Sequence, residues 1–249
     1  MMTEMPNRAS YVWDPDALRQ LGAQHAASYS AAAPFPHVVI DNFATIDTVR
    51  QVVREFPAED AYYWHTKRVK TSHKQDSRLL DKERHLGPFT RDLLREMNSA
   101  PFLLFLSELT GIKGLMPDPY LEGGGIHQIP RGGFLKIHAD FNRHPLTNAH
   151  RRLNLLLYLN ENWREEYGGA LELWSTDMTT RVRSVAPVAG RCVVFSTTDW
   201  SFHGHPDPLQ CPEGMTRKSM ALYYYSVDRP EEETTQPHST IYKSRPGEA

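Results

Sequence analysis

From about residue 120 onward the chain is broken into short runs of β-branched, aromatic and aliphatic residues, each ended by Gly, Pro, Asn or Asp. Candidate strands fall at 126–130, 133–138, 152–159, 170–175, 181–186, 191–196 and 216–225. Parallel strands need a long crossover, usually a helix, and no helical pattern separates these runs, so the sheet connections are expected to be antiparallel. Gly168-Gly169 and Ala189-Gly190 stand where turns are required. The expected fold class is therefore mainly β with packing helices, its core a jelly roll.

Helical signals lie upstream. Ile46, Val49, Val52, Val53 and Phe56 recur at helical spacing just after the β-branched run His37-Val38-Val39-Ile40. Ser99 as a cap, Pro101 in the first turn, the run Phe102-Leu103-Leu104-Phe105-Leu106 and Gly111 as a stop predict a second helix. The 249 residues, 40% of them hydrophobic, suffice for one large domain, expected to span 1–249. Within it, 1–119 is expected to be a helical and strand scaffold, 120–228 the jelly-roll core, and 229–249 a loosely ordered tail rich in Pro, Glu and Thr. The polar, basic stretch 62–85 is a candidate lid.

Charge and cysteine usage narrow the function classes. A formal charge of −2 and a pI near 6.6 provide no basic field for nucleic acid or an anionic membrane, so neither is an expected partner. The N-terminus lacks the basic-then-apolar pattern of a signal peptide, and no apolar run approaches the ~20 residues that span a bilayer. A cytoplasmic location is expected. Cys192 and Cys211 belong to no CxxC pair or Cys/His zinc spacing, which leaves two ordinary thiols.

The chemistry-bearing residues cluster in the β-rich part. His138 and Asp140 stand two apart at the end of a predicted strand, so period two points both side chains the same way. An imidazole and a carboxylate on one face supply two metal ligands, and a third from a facing strand would complete a facial set with open positions, as an oxygen-activating iron requires. The third candidate follows the buried run Val193-Val194-Phe195, at His203 or at His205. The Gly204-His205-Pro206 sequence reads as the chain turning away, which favours His203.

In 216–223 alternation puts Arg217, Ser219, Ala221 and Tyr223 on one face and Met220 and Leu222 on the other. An arginine facing a barrel interior demands an anion, and a dicarboxylate supplies one with matching geometry. The same alternation sets Asn154 and Tyr158 opposite Leu153, Leu155, Leu157 and Leu159, with the Tyr158 hydroxyl able to reach the same carboxylate.

The order of His138-x-Asp140, a Leu157-Tyr158-Leu159-Asn160 strand, a Gly-Gly turn, a distal His and Arg217-x-Ser219 resembles the 2-oxoglutarate/Fe(II)-dependent oxygenases, in particular their prolyl-4-hydroxylase-like branch, over roughly 120–228. The resemblance implies a double-stranded β-helix core and Fe(II) held by His138, Asp140 and His203. It also implies 2-oxoglutarate as co-substrate, bound by Arg217 with Ser219, Tyr158 and Asn154, with O2 as oxidant and ascorbate as reductant. The expected reaction is hydroxylation of an unactivated C–H bond of a small molecule, with 2-oxoglutarate converted to succinate and CO2. The chain reads His127-Gln128-Ile129 where members commonly carry a Tyr, and its interval from His203 to Arg217 is longer than in many members.

The substrate is not written in the motif. Arg131, Arg143 and Arg151-Arg152 beside it, with Lys67, Arg68 and Lys70 in the candidate lid, favour an acidic or carboxylate-bearing small molecule. Trp64, Trp174 and Trp200 are candidates for a pocket wall. Alternatives are a peptidyl prolyl hydroxylase, a cupin-like site using His203 and His205 together, and a non-catalytic β-sandwich binding module. The remaining histidines, His127, His144 and His150 among them, are expected to be solvated or structural.

Overall fold

A computed structural model of the chain describes residues 11–67 and 73–248. Helix α1 (Pro15–Ser30) starts at Asp14, whose carboxylate accepts the Ala17 N–H at 2.9 Å, with proline in the first turn. Strand β1 (His37–Ile40) and helix α2 (Ile46–Arg54), capped by Thr45, follow. Three short strands come next, β2 (His65–Lys67), β3 (Lys74–Gln75) and β4 (Ser77–Leu80). Helix α3 (Pro88–Met97) presents its first N–H groups to the Glu55 carboxylate, which accepts from Phe89 N at 3.0 Å and Thr90 N at 2.7 Å. Helix α4 (Ala100–Thr110) ends at Gly111, whose φ of 73° is the left-handed turn that closes a helix.

The β-rich half supplies β5 (Gly125–Pro130), β6 (Phe134–Ala139), β7 (His150–Tyr158), β8 (Leu171–Trp174), β9 (Arg181–Val185), β10 (Cys192–Ser196), β11 (His203–His205), β12 (Thr216–Ser226) and β13 (Ile241–Tyr242). Two antiparallel sheets result, one ordered β1-β10-β7-β12-β5-β4-β2, the other β13-β6-β11-β8-β9 with β3 also on β6. All seven predicted strands are present, as are the two predicted helices. Helices α1 and α3 and strands β2, β3, β4, β11 and β13 carry no comparable sequence signal. In α1 only Leu18, Gly22 and Tyr29 are buried, too few to make an apolar stripe.

Alternation divides the large sheet as expected. Leu153, Leu155, Leu157, Met220, Leu222, Tyr224, Cys192 and Val194 pack against the helices in the main core, with Phe102, Phe105 and Leu106 of α4 among them. The opposite face meets the smaller sheet through a second cluster that includes Tyr158, Leu171, Leu173, Val193 and Phe195. A cavity of about 1160 Å³ opens beside that cluster, lined by residues of both sheets.

Two segments depart from expectation. The tail is not loose: β13 pairs with β6, setting Tyr242 opposite His138, and Arg245 holds Asp207 at 2.7 Å. The candidate lid 62–85 contributes strands to both sheets, β2 on β4 and β3 on β6. Arg68 and Lys70, two of the cations expected to favour an acidic substrate, lie outside the described residues.

Candidate active site

Strands β6 and β11 pair with His138 opposite His203, and their rings lie 4.5 Å apart. Each Nδ1 stands 2.8 Å from a backbone carbonyl, Lys136 for His138 and Ser201 for His203. Those bonds place the proton on Nδ1 and leave an Nε2 lone pair facing inward on each ring. The two Nε2 atoms are 3.6 and 3.5 Å from the Asp140 carboxylate oxygens, too long for good hydrogen bonds. One ligand atom from each of the three residues lies within 4.8 Å of the others. Two neutral imidazoles and a carboxylate converging in this way suit a divalent iron and leave coordination positions open. Burial, with His138 beside it, pushes the His203 pKa down to about 4, so the ring is neutral and able to ligate at neutral pH.

His205 is not in this cluster. The register slips between His203 and His205, and a Cβ on Gly204 would sit 2.8 Å from the carbonyl oxygens of Leu135 and Lys136. Glycine therefore lets β11 close against β6. A site using His203 and His205 as a ligand pair is not what the fold assembles.

Asp140 is fixed from behind. Its Oδ2 accepts from Asn154 Nδ2 at 2.7 Å and lies 3.2 Å from Arg151 Nη2, while Arg151 also donates through Nε and Nη2 to Asn154 Oδ1 at 3.0 and 2.7 Å. The guanidinium lies between the rings of Tyr223 and Phe141, at 3.5 and 4.4 Å. Burial would raise the Asp140 pKa, but Arg151 and the two histidines together hold it well below the usual carboxylate range. Asn154, expected on the co-substrate side, thus has both ends of its amide on the Asp140 and Arg151 network. Arg151 reaches the interior through a bulge: Tyr224 pairs with Leu153 but Tyr225 pairs with Arg151, leaving Arg152 unmatched and reversing the alternation.

Arg217 lies deeper in the same cavity, 4% exposed. Its Nε donates to Gly169 O at 2.8 Å and its Nη2 lies 3.4 Å from the Tyr158 hydroxyl. Gly169 has a φ of 72°, and a Cβ there would meet Arg217 Cδ at 3.0 Å, so glycine permits the close approach. Among the described residues no carboxylate pairs with Arg217. A buried guanidinium held only by a carbonyl and a phenol fits a carboxylate ligand. Ser219 lines the cavity on the same strand face, and Tyr158 is its register partner.

Of the other cations flanking the motif, Arg131 donates to Gln210 O and Cys211 O, Arg143 to Asn148 O, and Arg152 to Ser226 and Asp228. They brace loops and do not face the cavity. Trp64 lines it, Trp174 belongs to a small core cluster, and Trp200 is exposed. His144 pairs with Asp118 at 3.2 Å, a structural role as expected. His127 and His205 do line the cavity, and so do Lys74, His73 and Tyr242. The inward direction of His127 follows from its register opposite Ser219.

Comparison with known proteins fits this geometry. Residues 124–225 match the family model of the 2OG-Fe(II) oxygenase superfamily. The fold resembles a prolyl-4-hydroxylase from Pseudomonas putida, with a TM-score of 0.59, 20% identity, and 83% of this chain and 99% of that one covered. It also resembles a prolyl hydroxylase from Trichoplax adhaerens solved with a hypoxia inducible factor peptide fragment, with a TM-score of 0.60, 16% identity and coverage of 88% and 94%. HygX from Streptomyces hygroscopicus, solved with nickel, 2-oxoglutarate and hygromycin B, matches with a TM-score of 0.53, 11% identity and coverage of 88% and 96%. No curated protein matches by sequence. The β-rich part of the chain, residues 124–225, is thus similar to the 2OG-Fe(II) oxygenase superfamily. The two sheets form the jelly-roll core expected from the strand pattern, the fold these structures share.

Proposed function

We propose that the protein is a 2-oxoglutarate-dependent oxygenase with Fe(II) as cofactor that hydroxylates a C–H bond of a polar small molecule, with His138, Asp140 and His203 as iron ligands and Arg217, Ser219 and Tyr158 holding 2-oxoglutarate. The observation that carries the small-molecule reading is the sealing of β6. Its edge beside the metal cluster pairs with the chain's own β13 at His138 and Ala139, and with β3 at Phe134 and Leu135. An incoming peptide therefore has no free strand edge there to extend. A cavity of about 1160 Å³ remains, just above the roughly 300–1,000 Å³ of single-ligand sites, which leaves room for co-substrate and a small substrate together. Lys74, Lys82, Asp81 and Glu122 on its wall carry both signs of charge, which supports a polar substrate and does not single out an acidic one.

Iron and 2-oxoglutarate bound here would supply O2 activation, with oxidative decarboxylation to succinate and CO2 and transfer of oxygen to the substrate. The chain's part is placement. The carbonyls of Lys136 and Ser201 orient the two imidazoles, Arg151 and Asn154 orient the carboxylate, and Arg217 fixes the distal end of the co-substrate. Aliphatic wall residues Leu135, Leu156, Leu171 and Ala221 suit the methylene carbons between. A cytoplasmic location belongs to the same proposal, supported by two buried thiols free of any disulfide; among the described residues no helix is long and apolar enough to cross a membrane.

Screening polar metabolites and proline-containing peptides for stimulation of succinate release tests the substrate class. Stimulation by peptides alone would overturn the small-molecule reading. For Arg217→Ala the 2-oxoglutarate requirement is expected to rise by about 1.5–3 kcal/mol, roughly 10- to 150-fold, with metal content unchanged. An unchanged requirement would remove Arg217 from the co-substrate site.

A further inference from the structure

His127 and His205 both line the cavity. Nε2 of His127 and Nδ1 of His205 are buried and find no hydrogen-bond partner among the described residues. An orphaned buried polar atom is unfavourable, so two beside one cavity point to a ligand that satisfies them. The rings come from opposite sheets. His127 on β5 is the register partner of Ser219, two residues along β12 from Arg217, whose own partner is Ile129. His205 projects from β11, two residues beyond the metal-side His203. Arg217 lines the same cavity as both rings.

Their shared character is that of donors. Arg217 has one N–H on Gly169 O and another at the long distance of 3.4 Å from Tyr158, which leaves further N–H groups for a ligand. An imidazole nitrogen that carries its proton donates to an oxygen anion, and a carboxylate offers about four lone-pair directions, more than one guanidinium fills. We infer that His127 and His205 complete the grip on the distal carboxylate of 2-oxoglutarate, acting with Arg217 and Ser219 as positioning residues that select a dicarboxylate over a monocarboxylate keto acid. The inference rests on the proposed co-substrate site and adds two residues to it. His205 thereby gains a role distinct from metal ligation, and the slip in register between it and His203 sends two nearby histidines to two tasks.

The test uses the full-length enzyme loaded with Fe(II) under anaerobic conditions, titrated with 2-oxoglutarate and separately with 2-oxopentanoate. The second keto acid has the same chain length and lacks the distal carboxylate. Binding is followed by the visible charge-transfer band that a metal-chelated keto acid gives. His205→Leu and His127→Phe are each expected to weaken 2-oxoglutarate binding about tenfold and to leave 2-oxopentanoate binding unchanged. His205→Asn and His127→Gln, whose amide nitrogens stand near the lost Nδ1 and Nε2, are expected to restore most of the affinity. Equal weakening of both keto acids would mean that the rings only shape the pocket, and unchanged 2-oxoglutarate affinity would mean that they do not touch it; either result overturns the inference while the wild-type band upholds the co-substrate site. Absence of the band in fully metal-loaded wild type would instead overturn the co-substrate reading, and this inference with it. If the apolar variants do not fold, His205→Gln and His127→Asn, which keep polarity but displace the donor, carry the same comparison.

Discussion

Substituting His203 by alanine is expected to take bound Fe(II) below stoichiometric levels and succinate formation to background, while His205→Leu keeps its metal. The two side chains are two residues apart on a three-residue strand, and only one of them faces Asp140. Loss of His203 leaves two of the three proposed ligands, His138 and Asp140, too few to cap one face of an ion. The remaining architecture should persist, because the ring makes one hydrogen bond, to Ser201 O, and lies against Phe195 at 4.6 Å. Metal content measured on gel-filtered protein, beside a thermal melt, separates the two effects. Retention of full metal in His203→Ala with loss in the His205 variant would reverse the ligand assignment.

How far the sequence discloses this site depends on where alternation holds. Strand β12 keeps strict period two through Tyr224, so alternation alone sets Arg217, Ser219 and Tyr223 on the cavity face and Met220 and Leu222 on the helix side. The same rule succeeds for Tyr158. It gives Asn154 its face and not its neighbours Asp140 and Arg151, because alternation states which way a side chain points and is silent on what waits there. It fails for Arg151, whose parity matches the leucine face, since a bulge opposite Tyr224 and Tyr225 reverses the strand at Arg152. A run of Arg151-Arg152 then reads as surface charge, although Arg151 is 1% exposed.

Strand β11 is invisible in the sequence for a different reason. Three residues, His203-Gly204-His205, carry no period, and its pairing with β6 and β8 is a long-range event that local pattern does not encode. Strand β13 and the strands in 62–85 are likewise made by the sheets they join. Their placement matters for function, because β3 and β13 together close the edge of β6. Polar composition predicts a loose tail and a surface loop; tertiary pairing overrides it.

The largest stability effect is expected at Arg151. Arg151→Met removes the cation that faces Asp140 and strands a buried carboxylate between two imidazoles, at a loss of about 3–5 kcal/mol in the metal-free protein. For a chain of this size that is a fall in Tm of roughly 6–20 °C. Asn154→Leu removes one neutral donor from the same oxygen and the amide oxygen to which Arg151 donates, but leaves the ion pair, and is expected to destabilise less, by about 1.5–3 kcal/mol, while lowering metal affinity about 10- to 100-fold through loss of carboxylate orientation. The difference follows from what is left behind. Without Asn154 the Asp140 charge still has Arg151 at 3.2 Å, whereas without Arg151 only the two imidazoles face it among the described residues, and a bound Fe(II) would supply the missing positive charge. Saturating Fe(II) should therefore raise the Tm of Arg151→Met by more than that of the wild type. Equal metal-induced shifts in the two proteins would show that Arg151 braces the fold without balancing Asp140. A metal-free Arg151→Met protein as stable as wild type would mean that the buried pair is compensated elsewhere in the core.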